Sequence, residues 1–157
     1  MKFLTRIMLF LFLLITASCS EIENSNISEL DFIPLESYKI ININDLSVTK
    51  NILDKNQLIL NLYPNSKIVY NNLNLLSNSF TKQGVLSLSR FSKDETAYTF
   101  IGRVELSDSI FHNDDFNRTY QNFDIYTRNN INKTIYKTII GDFYISSDND
   151  IVLENII

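Results

Sequence analysis

Glycine, proline, alanine, histidine and cysteine are all scarce in this 157-residue chain, which has three Gly, two Pro, two Ala and a single His and Cys. Three isolated glycines cannot build G-x-G-x-x-G or a Walker loop, so no nucleotide cofactor is expected. The lone thiol has no internal partner, which excludes a disulfide framework. A nucleophilic hydrolase would depend on His112 as its base, and no G-x-S-x-G elbow accompanies it. Scarce Ala beside abundant Ile, Thr, Tyr and Phe means few of the best helix formers and many strand formers. The chain should be mostly β.

Positive charge is also thin. Lys and Arg number 14 against 18 Asp and Glu, and the basic residues stand singly among acids along the whole length. Binding to phosphates needs a basic stripe that releases counterions, so nucleic acid is not an expected partner, and anionic lipid is disfavoured for the same reason.

What the chain does have is a distinctive start. Lys2 and Arg6 precede the apolar run Ile7 to Ile15, which leads into Thr16-Ala17-Ser18-Cys19, the layout of a secretory signal with a small-residue cleavage site. Spanning a bilayer takes about 20 apolar residues across roughly 30 Å, whereas Ile7 to Cys19 would rise only about 20 Å as a helix. The small residues before the only cysteine resemble the lipobox of bacterial lipoproteins. That family usually has Leu three places before the cysteine, where this chain has Thr16. The resemblance implies that Cys19 is acylated and becomes the first residue of the mature chain. Two or three acyl chains anchor stably, at about 0.8 kcal/mol per buried methylene. Ser20, in place of the Asp that retains enteric lipoproteins at the inner membrane, implies an outer-membrane address. Glu21 and Glu23 are similar to acidic surface-export tags of other Gram-negative groups, although two carboxylates equally suit a solvated tether. Ordinary signal-peptidase cleavage near Ala17 or Ser18 is the alternative.

Residues 1–18 thus read as a signal peptide, 19–31 as a flexible tether and 32–157 as one β domain. Loss of Lys2 and Arg6 leaves 12 of the 14 basic side chains against 18 acids, a net charge of −6. With 45% hydrophobic and 12% aromatic residues the remainder can bury a core of its own.

Period-two alternation recurs between Asn, Asp and Ser clusters, the pattern of an all-β fold. In Tyr98 to Leu106 the residues Tyr98, Phe100, Gly102, Val104 and Leu106 share a side, opposite a wetter side of Thr99, Ile101, Arg103 and Glu105. Val85 to Phe91 alternates likewise, and a polar turn at 92–95 makes 84–106 a hairpin. Further strands are expected at Tyr38 to Ile43, Gln57 to Leu62, Ile68 to Leu75, Phe123 to Thr127, Thr134 to Ser146 and Ile151 to Ile156. Turns are expected at 64–66, 128–130 and 147–150. One short helix fits Asp45 to Leu53, with Asp45 as its N-cap. Residues 99–107 and 138–146 align at an offset of 39, placing Gly102 and Gly141 mid-strand, where Gly implies a bulge or a close side-chain approach. The expected fold is a small antiparallel β-sandwich or barrel.

His112 lies in the densest acidic cluster, 107–115. Asp108, His112, Asp114 and Asp115 offer metal-ligand chemistry, but their spacing matches neither the H-E-x-x-H zinc helix nor the twelve-residue calcium loop, so a solvated loop is the better reading. Tyr120, Tyr126, Tyr136 and Tyr144 could form a binding face for sugar or protein, although alternate strand positions favour half-buried packing. Asn117-Arg118-Thr119 and Asn132-Lys133-Thr134 fit the N-glycosylation pattern, which has no default meaning in a bacterium. The expectation is a lipid-anchored, non-enzymatic outer-membrane component acting through envelope protein contacts, with no catalytic residue, metal or cofactor. A periplasmic inhibitor or immunity protein presenting an acidic surface is the alternative, followed by a small carboxylate-dependent hydrolase.

Overall fold

Alternating β-branched and aromatic residues produce seven strands: β1 (Ser37–Ile43), β2 (Gly84–Arg90), β3 (Thr96–Arg103), β4 (Asp115–Tyr120), β5 (Phe123–Asn130), β6 (Lys133–Ile140) and β7 (Phe143–Ser147). The computed structural model describes residues 27–157 apart from 63, 78–80, 94, 105–109, 112–113 and 131–132. The signal-like segment 1–18, Cys19 and the expected tether as far as residue 26 lie outside the described residues. At the tether's other end, Glu29–Phe32 forms one 3-10 turn closed by a capping box between Ser28 and Asp31.

All strand pairs are antiparallel, in the order β1-β2-β3-β7-β6-β5-β4. The chain is therefore mostly β and antiparallel, as its composition implies. Two meanders, β1 to β3 and β4 to β7, meet along β3 and β7. The seven strands make one open sheet, and helices instead of a second sheet cover its faces: α1 (Leu46–Lys55), α2 (Gln57–Leu62), α3 (Pro64–Leu76) and α4 (Asp150–Glu154).

Paired residues share a face, so the registers sort the side chains. Ile41, Leu86, Leu88, Phe100, Tyr144, Ile135 and Ile139 point to one side. There they pack with Leu46 of α1, Val69, Leu73 and Leu76 of α3, and Val104, Ile110 and Phe111 of the β3–β4 connection. Ile101, Ile145, Phe143, Tyr136 and Ile125 point to the other side, against Phe32, Ile33 and Leu153. Thr99 and Ile101 are fully buried, so the side of β3 expected to be wetter is covered as well.

Three expected strands are helices. Ile68 to Leu75 falls within α3, because Val69, Leu73 and Leu76 recur at helical spacing and Pro64 suits the first helical position. The turn expected at 64–66 is the first turn of that helix. Gln57 to Leu62 is α2, with Leu60 buried. Ile151 to Ile156 falls largely in α4, where the Asn149 side chain accepts the Val152 N–H at 3.0 Å and Val152 and Leu153 are buried. The helix expected at Asp45 to Leu53 is present as α1. Its Asp45 cap accepts the Val48 N–H at 2.8 Å, and that bond, with the Ser47 hydroxyl, holds the carboxyl below its ordinary range.

Thr134 to Ser146 is not one strand but the β6–β7 hairpin. It turns at Gly141-Asp142, where Gly141 has φ 61°. The offset-39 alignment therefore equates a turn glycine with a strand glycine. Gly102 does lie in β3, and its missing side chain is explained by space. A Cβ there would stand 2.9 Å from the Phe100 ring and 3.0 Å from the Gln83 carbonyl oxygen. Gln121 and Asn122, at φ 44° and 70°, form the β4–β5 turn. Arg128 to Asn130, expected as a turn, ends β5.

Candidate functional site

Of the four candidate ligands in the acidic cluster, only Asp114 and Asp115 are described. Asp108 and His112 lie outside the described residues, and Asp114 and Asp115 diverge. Asp115 pairs with Thr127 toward the α4 side of the sheet. Asp114 turns to the helix-covered side, where it accepts two hydrogen bonds from Lys137 Nζ at 2.9 and 3.0 Å and an ion pair from Arg128 Nε at 2.7 Å. Lys137 is buried, and burial pushes its ammonium pKa down while Asp114 opposes the shift. Among the described residues no group of three or more His, Cys, Asp or Glu could hold a metal ion. Nor is any helix among them long and apolar enough to cross a membrane. The sequence carried a signal for this cluster: Lys137 interrupts an apolar strand, and a buried ammonium requires a carboxylate.

Four tyrosines considered as a binding face are dispersed. Tyr144 is fully buried and donates from its hydroxyl to the Leu76 carbonyl at 3.1 Å, and burial raises its phenol well above the ordinary range. Tyr126 stacks on Phe111 with ring centroids 4.2 Å apart. Tyr120 and Tyr136 pack half-buried on the α4 side. These four are packing residues.

Among the described residues, one feature with room for a ligand is a groove between β1 and the helices. One cavity of about 260 Å³ is lined by Lys39, Ile41 and Ile43 of β1, Thr49 and Leu53 of α1, and Ser66, Val69 and Leu73 of α3. A second, of about 280 Å³, is lined by Tyr38, Lys39, Ile68, Val69, Leu88 and Tyr98. They share Lys39 and Val69, so the two adjoin. A separate cavity of about 260 Å³ lies beside the 3-10 turn, between Leu30 and Gly84.

The walls of the groove are held firmly at one end. Tyr98 receives the Lys133 ammonium over its ring at 5.4 Å, and its backbone N–H donates to Asp148 at 2.7 Å. Lys133 in turn pairs with Asp148 at 2.6 Å and reaches Asn72 of α3 at 3.3 Å. Burial, with Tyr38 and Asp148 nearby, raises the Tyr98 phenol. Arg90 lies 5.7 Å over the Tyr38 ring, and the Tyr38 hydroxyl is 3.3 Å from Thr96 Oγ1. Among the described residues, neither Lys39 nor Arg90 has a carboxylate partner. On a chain of net negative charge, this groove carries unneutralised positive charge.

β1 is also the edge of the sheet, and its outer side has no strand partner among the described residues. Five successive residues, Lys39 to Ile43, pair regularly with β2, and the bulge falls at the start of the strand. Tyr38, Ile40 and Ile68 remain about half exposed around this edge. Sequence alternation identifies β1 but not the groove, because the opposite wall belongs to α3, expected as a strand.

Compared with known proteins, the chain matches no family model, no curated protein and no solved structure.

Proposed function

We propose that this chain is a lipid-anchored envelope protein, acylated at Cys19 and addressed to the outer membrane, that works without catalysis by binding another envelope protein. The observation carrying the binding role is the groove of β1 and α3, partly apolar and open to solvent, beside a strand edge unpaired among the described residues. The anchor rests on the lipobox-like segment at Thr16 to Cys19. The buried carboxylates Asp114 and Asp148 each neutralise a lysine, an arrangement that serves packing better than acid–base chemistry. The acidic-surface inhibitor reading loses Asp114, whose charge is already taken.

Two measurements test this. Cells fed a labelled fatty acid should label the protein, and Cys19→Ala should abolish the label and release the protein from membranes. A photo-crosslinker at Tyr38, which lines the groove and is about half exposed, should join the chain to an envelope protein, while one at Lys93, in the β2–β3 turn, should not. An unlabelled, freely soluble wild-type protein would overturn the anchor, and equal crosslinking at both positions would overturn the groove.

A further inference from the structure

We propose that the groove receives an extended acidic and apolar segment of the partner, which pairs with β1 as an eighth strand. This deepens the binding reading above and rests on it. A strand added beside β1 would lie about 4.8 Å outward and send alternate side chains toward the helix-covered face. That face is where the cavity opens between Ile41 and Val69, so backbone pairing and side-chain burial are offered to one ligand in one geometry. Charge fixes the composition. Lys39 lines both cavities, and Arg90 lies beyond it over Tyr38, both without carboxylates among the described residues. A lysine at a strand edge also guards against unwanted pairing. Guarding explains Lys39 alone, and neither the cavity beside it nor the position of Arg90.

The other edge is less suited. β4 is bulged between Phe116 and Arg118, in the middle of its six residues, whereas β1 keeps five regular residues. Arg118 is further tied to Glu154, its Nε donating at 2.9 Å.

All other strands being antiparallel, the added strand should run opposite to β1. Its first residue then faces Ile43 and its carboxylates face Lys39 and Arg90. The probe is the blocked peptide Val-Thr-Val-Thr-Glu-Thr-Glu, with a control in which both Glu are Lys, titrated into the full-length acylated protein in detergent. The Glu peptide should bind at least about tenfold more tightly. Lys39→Glu, at an exposed site, should reverse the preference, and bound peptide should slow amide exchange in β1 but not in β4. Failure of both peptides to bind, equal binding, a preference unchanged by Lys39→Glu, or protection confined to β4 would each overturn the proposal. Crosslinking from Tyr38 to an envelope protein alongside such a failure would leave the binding reading standing and remove only the acidic strand. Peptide binding without crosslinking in cells would overturn both, because the added strand is proposed as part of that envelope partner.

Discussion

Asp114→Ala should be among the most damaging single substitutions in this chain, and the reason is the ammonium it leaves behind. The Asp114 side chain is 1% exposed and that of Lys137 5%, with two hydrogen bonds between them, while the Arg128 side chain is 45% exposed. Removing one partner of a buried pair costs about 3–5 kcal/mol, because the survivor's desolvation is no longer offset. The Arg128 contact, screened by solvent, adds about 0–1 kcal/mol. At about 2–4 °C per kcal/mol for a chain of this size, Tm should fall by roughly 6–24 °C. Lys137→Met should cost less, since Asp114 keeps Arg128, and the double variant should be less damaged than the sum by about 2–3 kcal/mol. Urea denaturation followed by circular dichroism measures all three. A loss below 1 kcal/mol for Asp114→Ala, or additivity in the double variant, would refute the argument that Asp114 neutralises a buried charge.

Alkaline stability should depend on Tyr144. Its folded pKa lies above the ordinary value of 10.0, so its stabilisation is complete below pH 10 and falls above it, as the unfolded chain loses a proton that the fold retains, by up to about 1.4 kcal/mol per pH unit. Lys137, with a lowered folded pKa, contributes the opposite slope up to its unfolded value of 10.5. Urea titrations above pH 10.5 therefore isolate the tyrosines, and Tyr144→Phe should flatten the curve there, leaving the share due to Tyr98. An unchanged slope would contradict the burial argument. Gly102→Ala should cost about 1–3 kcal/mol by overpacking against Phe100, and Phe100→Leu in that background should recover part of it. Gly141→Ala meets no atom within 4 Å and should cost about 1 kcal/mol through its positive φ alone, without rescue by Phe100→Leu, as thermal denaturation would show.

Where side chains alternated cleanly, the sequence was legible. Tyr38 to Ile43, Val85 to Phe91 and Phe123 to Thr127 announced strands because strand-forming residues alternate in each while turn residues flank it. Asp45 announced α1 because a carboxylate that accepts an amide two or three residues on is a local signal. The helices α2, α3 and α4 were hidden by composition. Ile, Val, Asn and Tyr are indifferent helix formers, and only packing against the sheet makes 64–76 helical. β4 was hidden for the opposite reason: at an exposed edge it needs few apolar residues, and Asp115-Phe116-Asn117-Arg118 reads as loop. His112, which drew attention as the only imidazole, lies outside the described residues. Lys137, which nothing local distinguished except its apolar neighbours, turned out to hold the buried charge.

The groove was illegible because it depends on where α3 ends as much as on what lines it. The Leu76 carbonyl accepts the Tyr144 hydroxyl at 3.1 Å and the Ser146 hydroxyl at 2.6 Å, which fixes the helix C-terminus over β7 at the centre of the sheet. From β7 to β1 are three strand spacings, about 14 Å, and from Leu76 back to Ser66 an α-helix rises about 15 Å. The helix therefore crosses the sheet from centre to edge, bringing Ser66 and Val69 alongside β1. Two hydroxyls in the sheet centre thus set the width of a channel several strands away. Tyr144→Phe combined with Ser146→Ala leaves the buried carbonyl without either donor, at a cost of about 1–3 kcal/mol. It should also let the helix shift along its axis, so that binding of the Glu peptide weakens several-fold although no groove residue has changed. Unaltered binding by a destabilised double variant would mean that α1, and not the anchored end of α3, holds the channel open.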